Sequence, residues 1–269
     1  MPEAGECRRQ AEFLASCAQK GPLLEIEVLS GRYTKKPIPG LDEFHPNLPL
    51  KTVGGGVHGK FIYLIFEDGS SAHFTLGMSG GFRAKITEHA RLRLRFGDCD
   101  IFFVDTRNFG TVKLARSTQT LSKKLEQLGP DIMQGGDDEF LRRALKNPHW
   151  NICKTLMNQN VVAGIGNYIK AETLYALKIS PWCTVGDLSE SDLKEVFKAA
   201  GDIAWRAHEL GGATIQSYKD PNGKSGGATQ IFSAYGQKMS PNGNEVLREE
   251  TPDKRTTHWV PNEQIRFAC

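Results

Sequence analysis

The hydrophobic pattern changes its period near the middle of the chain. In the first half, "RLRLRFGDCDIFFV" alternates arginines with apolar residues, so that one face carries Arg91, Arg93 and Arg95 and the other carries Leu92, Leu94 and Phe96. In the second half, "SDLKEVFKAAGDIAWRAHEL" repeats its apolar residues at helical spacing, with Ser189 or Ser191 as the cap and Gly211-Gly212 as the stop. The chain therefore predicts strands first and helices second, an α+β organisation.

Strand signals fill the first half. In "FIYLIFEDGSSAHFTLGM" two apolar runs are joined by Asp68-Gly69, which predicts a hairpin. Several short strands at this spacing indicate an antiparallel β-sandwich. A helical pattern precedes them and ends at Gly21.

The second half predicts a helical domain that ends in a small β element. Helical patterns include "DDEFLRRALKN", "NICKTLMNQN" and "NYIKAETLYALKI". The stretch "SYKDPNGKSGGATQ" has the composition of a linker, and short strands with a Pro-Asn-Gly turn between them follow it. With a border near Gly129-Pro130, we predict domains at residues 1–129 and 130–269, with the β element at about 236–269.

Composition limits the class of protein. The 269 residues are 39% hydrophobic and 24% charged, as in a globular protein, and no run is long enough to span a bilayer. Because the sequence shows no signal-peptide pattern, we expect a protein that works inside the cell, in a compartment where its partner is present, and that has no membrane partner. The 6 cysteines form no CxxC pair, so they predict no structural zinc and fit a reducing compartment.

Net charge is only +3, but its distribution is uneven. Between Leu141 and Ser180, Glu172 is the only acid among six bases. The pattern fits either a solvated helix face or a surface that neutralises phosphates. The bases are Arg142, Arg143, Lys146, Lys154, Lys170 and Lys178.

The chain begins MPEAGE, and this start has a chemical interpretation. Once Met1 is removed, Pro2 has a secondary α-amine with a pKa far below that of lysine, so a fraction of it is nucleophilic at neutral pH. Such an amine gives a cationic iminium with a sugar carbonyl. Glu3 and Glu6 supply carboxylates close by. The alternative is an ordinary chain start without chemistry.

Two further motifs suggest contacts with an extended anion. In "VVAGIGNYIKAETL", Gly164 and Gly166 break the helical pattern before Asn167 opens a new helix, which is a phosphate site built from backbone N–H groups or else a corner without a ligand. Lys60 follows Gly59 at a strand start. Glycine-rich turns also present Met78, Arg107 and Phe109, which suit filling the gap left by a flipped base or packing under a loop.

These motifs run in one order that resembles the formamidopyrimidine-DNA glycosylase/endonuclease VIII family. They are Pro2-Glu3, Gly59-Lys60, "LGMSG", "DxRxFG", "LMxQ…GIGNYxxAExL" and "KRTT". The resemblance covers nearly the whole chain. It implies a β-sandwich followed by a domain with a helix–two-turn–helix motif and a β-hairpin finger, and an enzyme that excises damaged bases and cuts the strand by β,δ-elimination.

The resemblance also implies residue roles. Pro2 becomes the nucleophile, Glu3 assists ring opening and proton transfer, Glu6 supports the N-terminal site and Lys60 holds a phosphate. The void-filling residues are Met78, Arg107 and Phe109. Asn167 and Arg255 bind the phosphates beside the flipped base, and Lys154, from the basic run, also binds DNA. Glu172 steadies the N-terminus. The partner is double-stranded DNA with damaged bases or abasic sites, bound by a monomer without cofactor.

Three departures from the family pattern matter. Asn242, Glu245, Val260 and Glu263 stand where the finger's four zinc-binding cysteines are usual, which predicts a finger without metal. Thr75 stands where many members have a phosphate-binding histidine, and His73 lies one pleat away as the candidate replacement. The start PEAGE lacks the usual second proline.

The substrate base stays open between oxidised purines and oxidised pyrimidines. The segment from Gly211 to Gln230 resembles the loop that closes over 8-oxoguanine, whereas zincless fingers also occur in the branch that prefers oxidised pyrimidines. Two alternatives to the enzyme are a catalytically silent DNA-binding protein of this fold and an RNA- or ribosome-binding protein. Intact Pro2, Glu3 and Lys60 favour the enzyme.

Overall fold

The computed structural model describes residues 2–215 and 218–267. Its contacts divide the chain into two compact units, one of residues 1–126 with 208–227 and one of residues 127–207 with 228–269. The predicted domain borders at 1–129 and 130–269 stay a prediction. Residues 208–227 belong with the first unit here, although the sequence pattern placed them in the second domain.

The first unit is built on two four-stranded antiparallel sheets, which confirms the predicted fold class. The sheet orders are β1-β6-β7-β5 and β2-β3-β4-β8. Apolar side chains from both sheets, such as Leu92 and Phe103 from one and Leu64 and Phe74 from the other, share a core. The strands are β1 Leu23–Val28, β2 Thr52–His58, β3 Phe61–Phe66, β4 Ser71–Thr75, β5 Gly80–Arg83, β6 Ala90–Phe96, β7 Cys99–Asp105 and β8 Thr111–Ala115.

The predicted alternation and hairpin are both present. Along β6 buried and half-buried residues alternate, and the outward-facing Arg93 contacts Glu25 and Glu27 of β1 at 2.9 Å each. Asp68 and Gly69 form the tight turn between β3 and β4, where Gly69 has φ +80°. The pleat thus separates an apolar inner face from a charged outer one.

Helix α1, Ala4–Ala18, was also predicted, and it begins two residues after Pro2. Its inner face packs into the sandwich core through Cys7, Ala11, Leu14 and Cys17. Because this packing fixes α1, it also fixes the position of the chain start in the first unit.

The second unit carries the predicted helices. Ser189 caps the longest, since its hydroxyl accepts from the backbone N–H of Asp192 at 3.2 Å. No helix in the described part of the chain has the length and apolar character that spanning a membrane requires. The helices after α1 are α2 Leu41–Phe44 in the first unit, α3 Thr118–Gln127 at the border between the two units, then α4 Asp137–Ala144, α5 Ile152–Met157, α6 Asn167–Ala176 and the longest, α7 Glu190–Glu209.

The C-terminal β element differs from its prediction in one respect. Strands β9, Leu247–Thr251, and β10, Arg255–Trp259, pair antiparallel. The turn between them spans residues 252–254, where Lys254 has φ +60°. The Pro-Asn-Gly turn lies before both of these strands, with Gly243 at φ +81°. It joins a shorter antiparallel pair, the single β-bridge between Met239 and Glu245, and the Ser240 N–H donates to Asn244 O across it at 2.7 Å.

Candidate active site

The chain start is enclosed by its own helix. Pro2 is buried, and the Glu3 and Glu6 residues are 1% exposed each. Glu3 is the N-cap of α1, and its backbone N–H donates to Glu6 Oε2 at 2.8 Å within a capping box. The positive end of the helix dipole favours negative charge at this place. Two buried carboxylates are therefore held within a few residues of the Pro2 nitrogen.

Glu6 also binds the segment just before the stretch that sequence composition classed as a linker, residues 217–230. Its Oε1 accepts from the backbone N–H of Ala213 at 2.7 Å. A Cβ on Gly212 would lie 3.0 Å from Glu6 Cγ and 2.5 Å from the ring of Tyr218. The buried ring packs so closely that desolvation, with the charge of Glu6, raises the pKa of Tyr218. This loop is docked within the first unit.

Two more contacts hold the same loop, residues 211–227. Gln10 Nε2 donates to Lys219 O at 3.4 Å, and the Ala84 N–H donates to Pro221 O at 3.3 Å. Residues 216 and 217, which belong to the predicted closing loop, lie outside the described residues, as does Met1. Sequence reasoning missed the docking because the contacts use backbone groups, which leave no hydrophobic period.

Lys60 and the three predicted void-filling residues also lie in the first unit. Lys60 is half-buried in the β2–β3 turn beside Gly59, which has φ +58°. Met78 and the Arg107–Phe109 pair lie on two neighbouring connections between the sheets. The Arg107 guanidinium stacks 5.1 Å from the centroid of the Phe109 ring, which is 55% exposed. The structure thus brings these three residues together.

His73 is a core residue, which corrects its candidate role as a phosphate contact. It is 5% exposed, and its Nε2 lies 2.9 Å from Ser71 Oγ. Burial, with Lys113 and Lys124 adding repulsion, lowers the pKa of His73 to about 4. A buried, neutral imidazole is unsuited to bind a phosphate.

In the second unit, the predicted phosphate residues Asn167 and Arg255 are neighbours. Asn167 is the first residue of α6, and Gly166 before it is extended. Asn167 Nδ2 donates to Thr256 O at 2.8 Å, and exposed Arg255 precedes Thr256. The N-terminus of α6 and the start of β10, which carries Arg255, therefore lie side by side, an arrangement suited to an anion-binding surface.

The basic run is less available than its count suggests. Lys170 is fully buried and pairs with Asp253 at 2.6 Å. Lys178 contacts Glu263 at 2.8 Å, and Arg142 and Arg143 both contact Glu139. Exposed Lys154 instead lies over the Trp150 ring at 4.3 Å. Lys170 is therefore excluded as a phosphate contact, whereas Lys154 stays a candidate.

Glu172 holds a backbone segment of its own unit. Its carboxylate accepts from the N–H groups of Ser233, Ala234 and Tyr235 at 2.8, 2.9 and 2.6 Å. The predicted role of Glu172 at the N-terminus stays a prediction. What these contacts establish is that α6 anchors the chain just before the C-terminal β element.

A carboxylate lies at the centre of the finger where a metal would be usual. Glu263 accepts from Lys178 Nζ and Tyr175 Oη at 2.8 Å each, and from Asn242 Nδ2 at 2.7 Å. Ser240 Oγ and Asn244 Nδ2 also donate to it. The hydrogen bond from Lys178 contributes most, and that from Ser240 next, to holding the pKa of Glu263 well below its usual range.

The other predicted cysteine-equivalent positions do not gather ligands. Val260 is buried in an apolar cluster with Tyr175, Ala234 and Val246. Within residues 2–215 and 218–267, no group of three histidine, cysteine or acidic residues is placed to hold a metal ion. The donor set around Glu263 neutralises an anion, which is the opposite of what a cation needs.

Comparisons with known proteins agree with this arrangement. Residues 1–112 match the formamidopyrimidine-DNA glycosylase N-terminal domain, and residues 128–219 match the formamidopyrimidine-DNA glycosylase H2TH domain. The formamidopyrimidine-DNA glycosylase of Thermus thermophilus is 31% identical over 210 residues, which cover 76% of this chain and 78% of that protein.

Solved structures extend the similarity to the fold. The crystal structure of MutM (Fpg) from Thermus thermophilus has a TM-score of 0.82 and 26% identity, covering 97% of this chain and 98% of that one. A Lactococcus lactis Fpg mutant in complex with Fapy-dG-containing DNA has a TM-score of 0.85 and 25% identity, covering 98% and 100%.

The sandwich with a carboxylate-flanked N-terminal proline, followed by a helix–two-turn–helix unit, defines a class of DNA repair enzymes. The chain belongs to the formamidopyrimidine-DNA glycosylase family. It is a DNA glycosylase of base excision repair, and its partner is DNA.

Proposed function

We propose that this glycosylase removes oxidised bases from duplex DNA and then cuts the strand as an abasic-site lyase, with the free α-amine of Pro2 as nucleophile. The observation that carries the proposal is the placement of buried Glu3 and Glu6 beside Pro2 at the start of α1. The proposal requires removal of Met1, because only then is the Pro2 nitrogen an amine.

The proposed chemistry uses the secondary amine as an electron sink. The Pro2 nitrogen attacks C1′ of the damaged nucleotide, the base departs with a proton, and a cationic iminium forms. The iminium acidifies the C2′ proton, so its removal expels the 3′ phosphate, and a second elimination expels the 5′ phosphate. Glu3 assists ring opening and carries the protons, and water then releases the sugar fragment.

Glu6 has a supporting role in this proposal. One of its oxygens binds the Glu3 backbone and the other binds Ala213, so it fixes the chain start and the base of the 211–227 loop together. Glu6 is therefore a structural residue in this proposal, and the proton transfers are assigned to Glu3. A rigid start also lowers the entropy lost when the amine is aligned with C1′.

The proposed DNA contacts are cations and amides along the phosphate backbone. Lys60 holds a phosphate near the lesion, Asn167 and Arg255 grip the phosphates beside the flipped nucleotide, and Lys154 adds charge. Met78, Arg107 and Phe109 fill the gap in the duplex. These contacts carry no base sequence information, as expected for an enzyme that must search all DNA.

For the substrate, we infer a range that centres on ring-opened purines and 8-oxoguanine and extends to oxidised pyrimidines. Support comes from the docked 211–227 loop, which resembles the loop that closes over 8-oxoguanine, and from the Lactococcus relative that binds Fapy-dG DNA. The zincless finger is the feature that extends the range to pyrimidines.

Borohydride trapping tests the mechanism. Protein whose intact mass proves loss of Met1 is incubated with duplexes carrying 8-oxoguanine or 5-hydroxyuracil, reduced, digested and sequenced by mass spectrometry. We expect an adduct at Pro2, and the better-trapped lesion ranks the substrates. Protein that retains Met1 is the control and should give none. No adduct from the Met1-free protein would reject the lyase in favour of a silent DNA-binding protein.

A further inference from the structure

We propose that Ser79 and Asp105 are positioning residues that join the Met78 turn and the Arg107–Phe109 turn into one rigid wedge. The inference rests on the proposed void-filling role of Met78, Arg107 and Phe109. Neither positioning residue is exposed enough to contact DNA itself, since Ser79 is 7% and Asp105 is 1% exposed.

The two turns are neighbouring connections between the sheets of the sandwich. One leads from β4 to β5 and the other from β7 to β8, and β5 pairs with β7 while β4 pairs with β8. In register, Gly80 lies opposite Asp105, and Thr75 lies opposite Thr111. Both turns therefore leave and re-enter the sandwich side by side.

Ser79 and Asp105 link these turns through buried hydrogen bonds. Ser79 Oγ donates to Asp105 Oδ1 at 2.5 Å and accepts from the Arg107 N–H at 2.9 Å. The other oxygen of Asp105 accepts from the Gly110 N–H at 2.6 Å. The Asp105 carboxylate thus binds the end of the Arg107–Phe109 turn at Gly110, and Ser79, the neighbour of Met78, binds its start at Arg107.

The backbones of the turns are also in direct contact. Gly77 has φ +57°, and a Cβ there would lie 2.7 Å from both Gly110 N and Phe109 C. Only glycine permits this conformation and this distance together. The contact leaves the turns no room to move independently, so the hydrogen bonds hold a preformed assembly.

Rigidity matters because of what the turns carry. Phe109 is 55% exposed under the Arg107 guanidinium, and Met78 beside them is half-buried. Ordering such side chains at the moment of insertion would cost conformational entropy. A wedge that is already ordered lowers this cost, so Ser79 and Asp105 act on base flipping rather than on the bond-breaking steps.

The test compares Ser79→Ala with Ser70→Ala. Ser70 is also buried, and its Oγ donates to Asp68 Oδ1 at 2.5 Å, so the control loses the same kind of bond in the β3–β4 turn. Each variant is assayed on an 8-oxoguanine duplex and on a single-stranded abasic oligonucleotide, which has no duplex gap to fill. Fluorescence of 2-aminopurine opposite an abasic analogue reports wedge insertion.

We expect Ser79→Ala to lower kcat/KM on the duplex about tenfold, the effect of losing one to two hydrogen bonds, and to slow the fluorescence change equally. Cleavage of the single strand should stay within about twofold of wild type, as should Ser70→Ala on both substrates. The Ser79→Ala/Asp105→Asn double variant should lose little more than the worse single variant, because both act in one network.

Equal losses on both substrates, or a Ser79→Ala variant that matches Ser70→Ala on the duplex, would overturn the positioning role. Thermal unfolding of each variant shows whether a duplex-specific loss occurs in folded protein. Failure of the proposed function is separate, because then wild-type protein itself would not cleave the single-stranded abasic site.

Discussion

Lys170 and Asp253 form an ion pair 2.6 Å apart, with side chains that are 0% and 2% exposed. Lys170 lies on α6 one turn after Asn167, and Asp253 lies in the turn just before Arg255. Thr251 Oγ1 adds a hydrogen bond to Asp253 at 2.5 Å. The pair therefore joins the two elements that carry the proposed phosphate grip.

Removing one partner of this pair should be costly. We expect Lys170→Met to destabilise the protein by about 3–5 kcal/mol, since a buried carboxylate is left without its cation. The Lys170→Met/Asp253→Leu double variant should recover most of the loss. Urea unfolding measures both, with exposed Lys154→Met as the control. A double variant no more stable than the single one would show that the pair is not the cause.

Arg255 should contribute to DNA binding in a way that depends on salt. We expect Arg255→Ala to weaken binding to any duplex sequence and to reduce the slope of log affinity against log salt concentration by about one. Affinity titrations from low to moderate salt measure the slope. The control is Arg95→Ala, at a surface arginine near Asp100 in the first unit. An unchanged slope would remove Arg255 from the phosphate contacts.

The strands and helices could be predicted from sequence because they bury one face at a regular period. Along β6 that period survives intact in the structure. It fails along β4, where Ser71, Ala72, His73 and Phe74 are all buried, so the strand pattern could not show that His73 is too buried to contact a phosphate.

The buried contacts of the second unit were unpredictable for a different reason. Lys170 and Asp253 are 83 positions apart, and nothing local to either indicates a partner. The same holds for Glu263, whose donors come from Tyr175 and Lys178 and from residues 240–244. Such pairings follow from the tertiary fold. For this reason Lys170 and Lys178 were counted with the surface charge of residues 141–180, although both are paired with carboxylates in the structure.

Glu263 should maintain the finger without metal. We expect Glu263→Gln to lower the stability of the second unit by about 2 kcal/mol, because charged hydrogen bonds become neutral ones. DNA affinity should fall with it. Thermal unfolding measures the loss of stability, and metal analysis tests whether the finger holds no zinc. Glu245→Gln is the matched control. Stoichiometric zinc in the wild-type protein, or activity lost on chelation, would contradict a carboxylate-centred finger.

His73 should make the protein less stable in weak acid. Its pKa of about 4 lies below the ordinary value near 6.5, so the unfolded chain binds a proton that the folded protein does not. Its contribution is therefore complete above about pH 6.5 and is lost as pH falls toward 4. Unfolding free energies of wild type and His73→Gln should converge toward pH 4, and parallel curves would show another group to be responsible.

Glu3 should be needed for excision but not for binding. We expect Glu3→Gln to reduce base removal at least about 100-fold, the usual scale for losing a positioned proton carrier, while duplex affinity stays within about threefold. Glutamine retains the size of the side chain, so the start of α1 should persist. Single-turnover excision and binding to an abasic-analogue duplex measure the two properties. The control is Glu12→Gln, which should match wild type. Glu12 is an exposed carboxylate further along α1, where it contacts His208 of α7. Excision by Glu3→Gln within tenfold of wild type would reject its proton-transfer role.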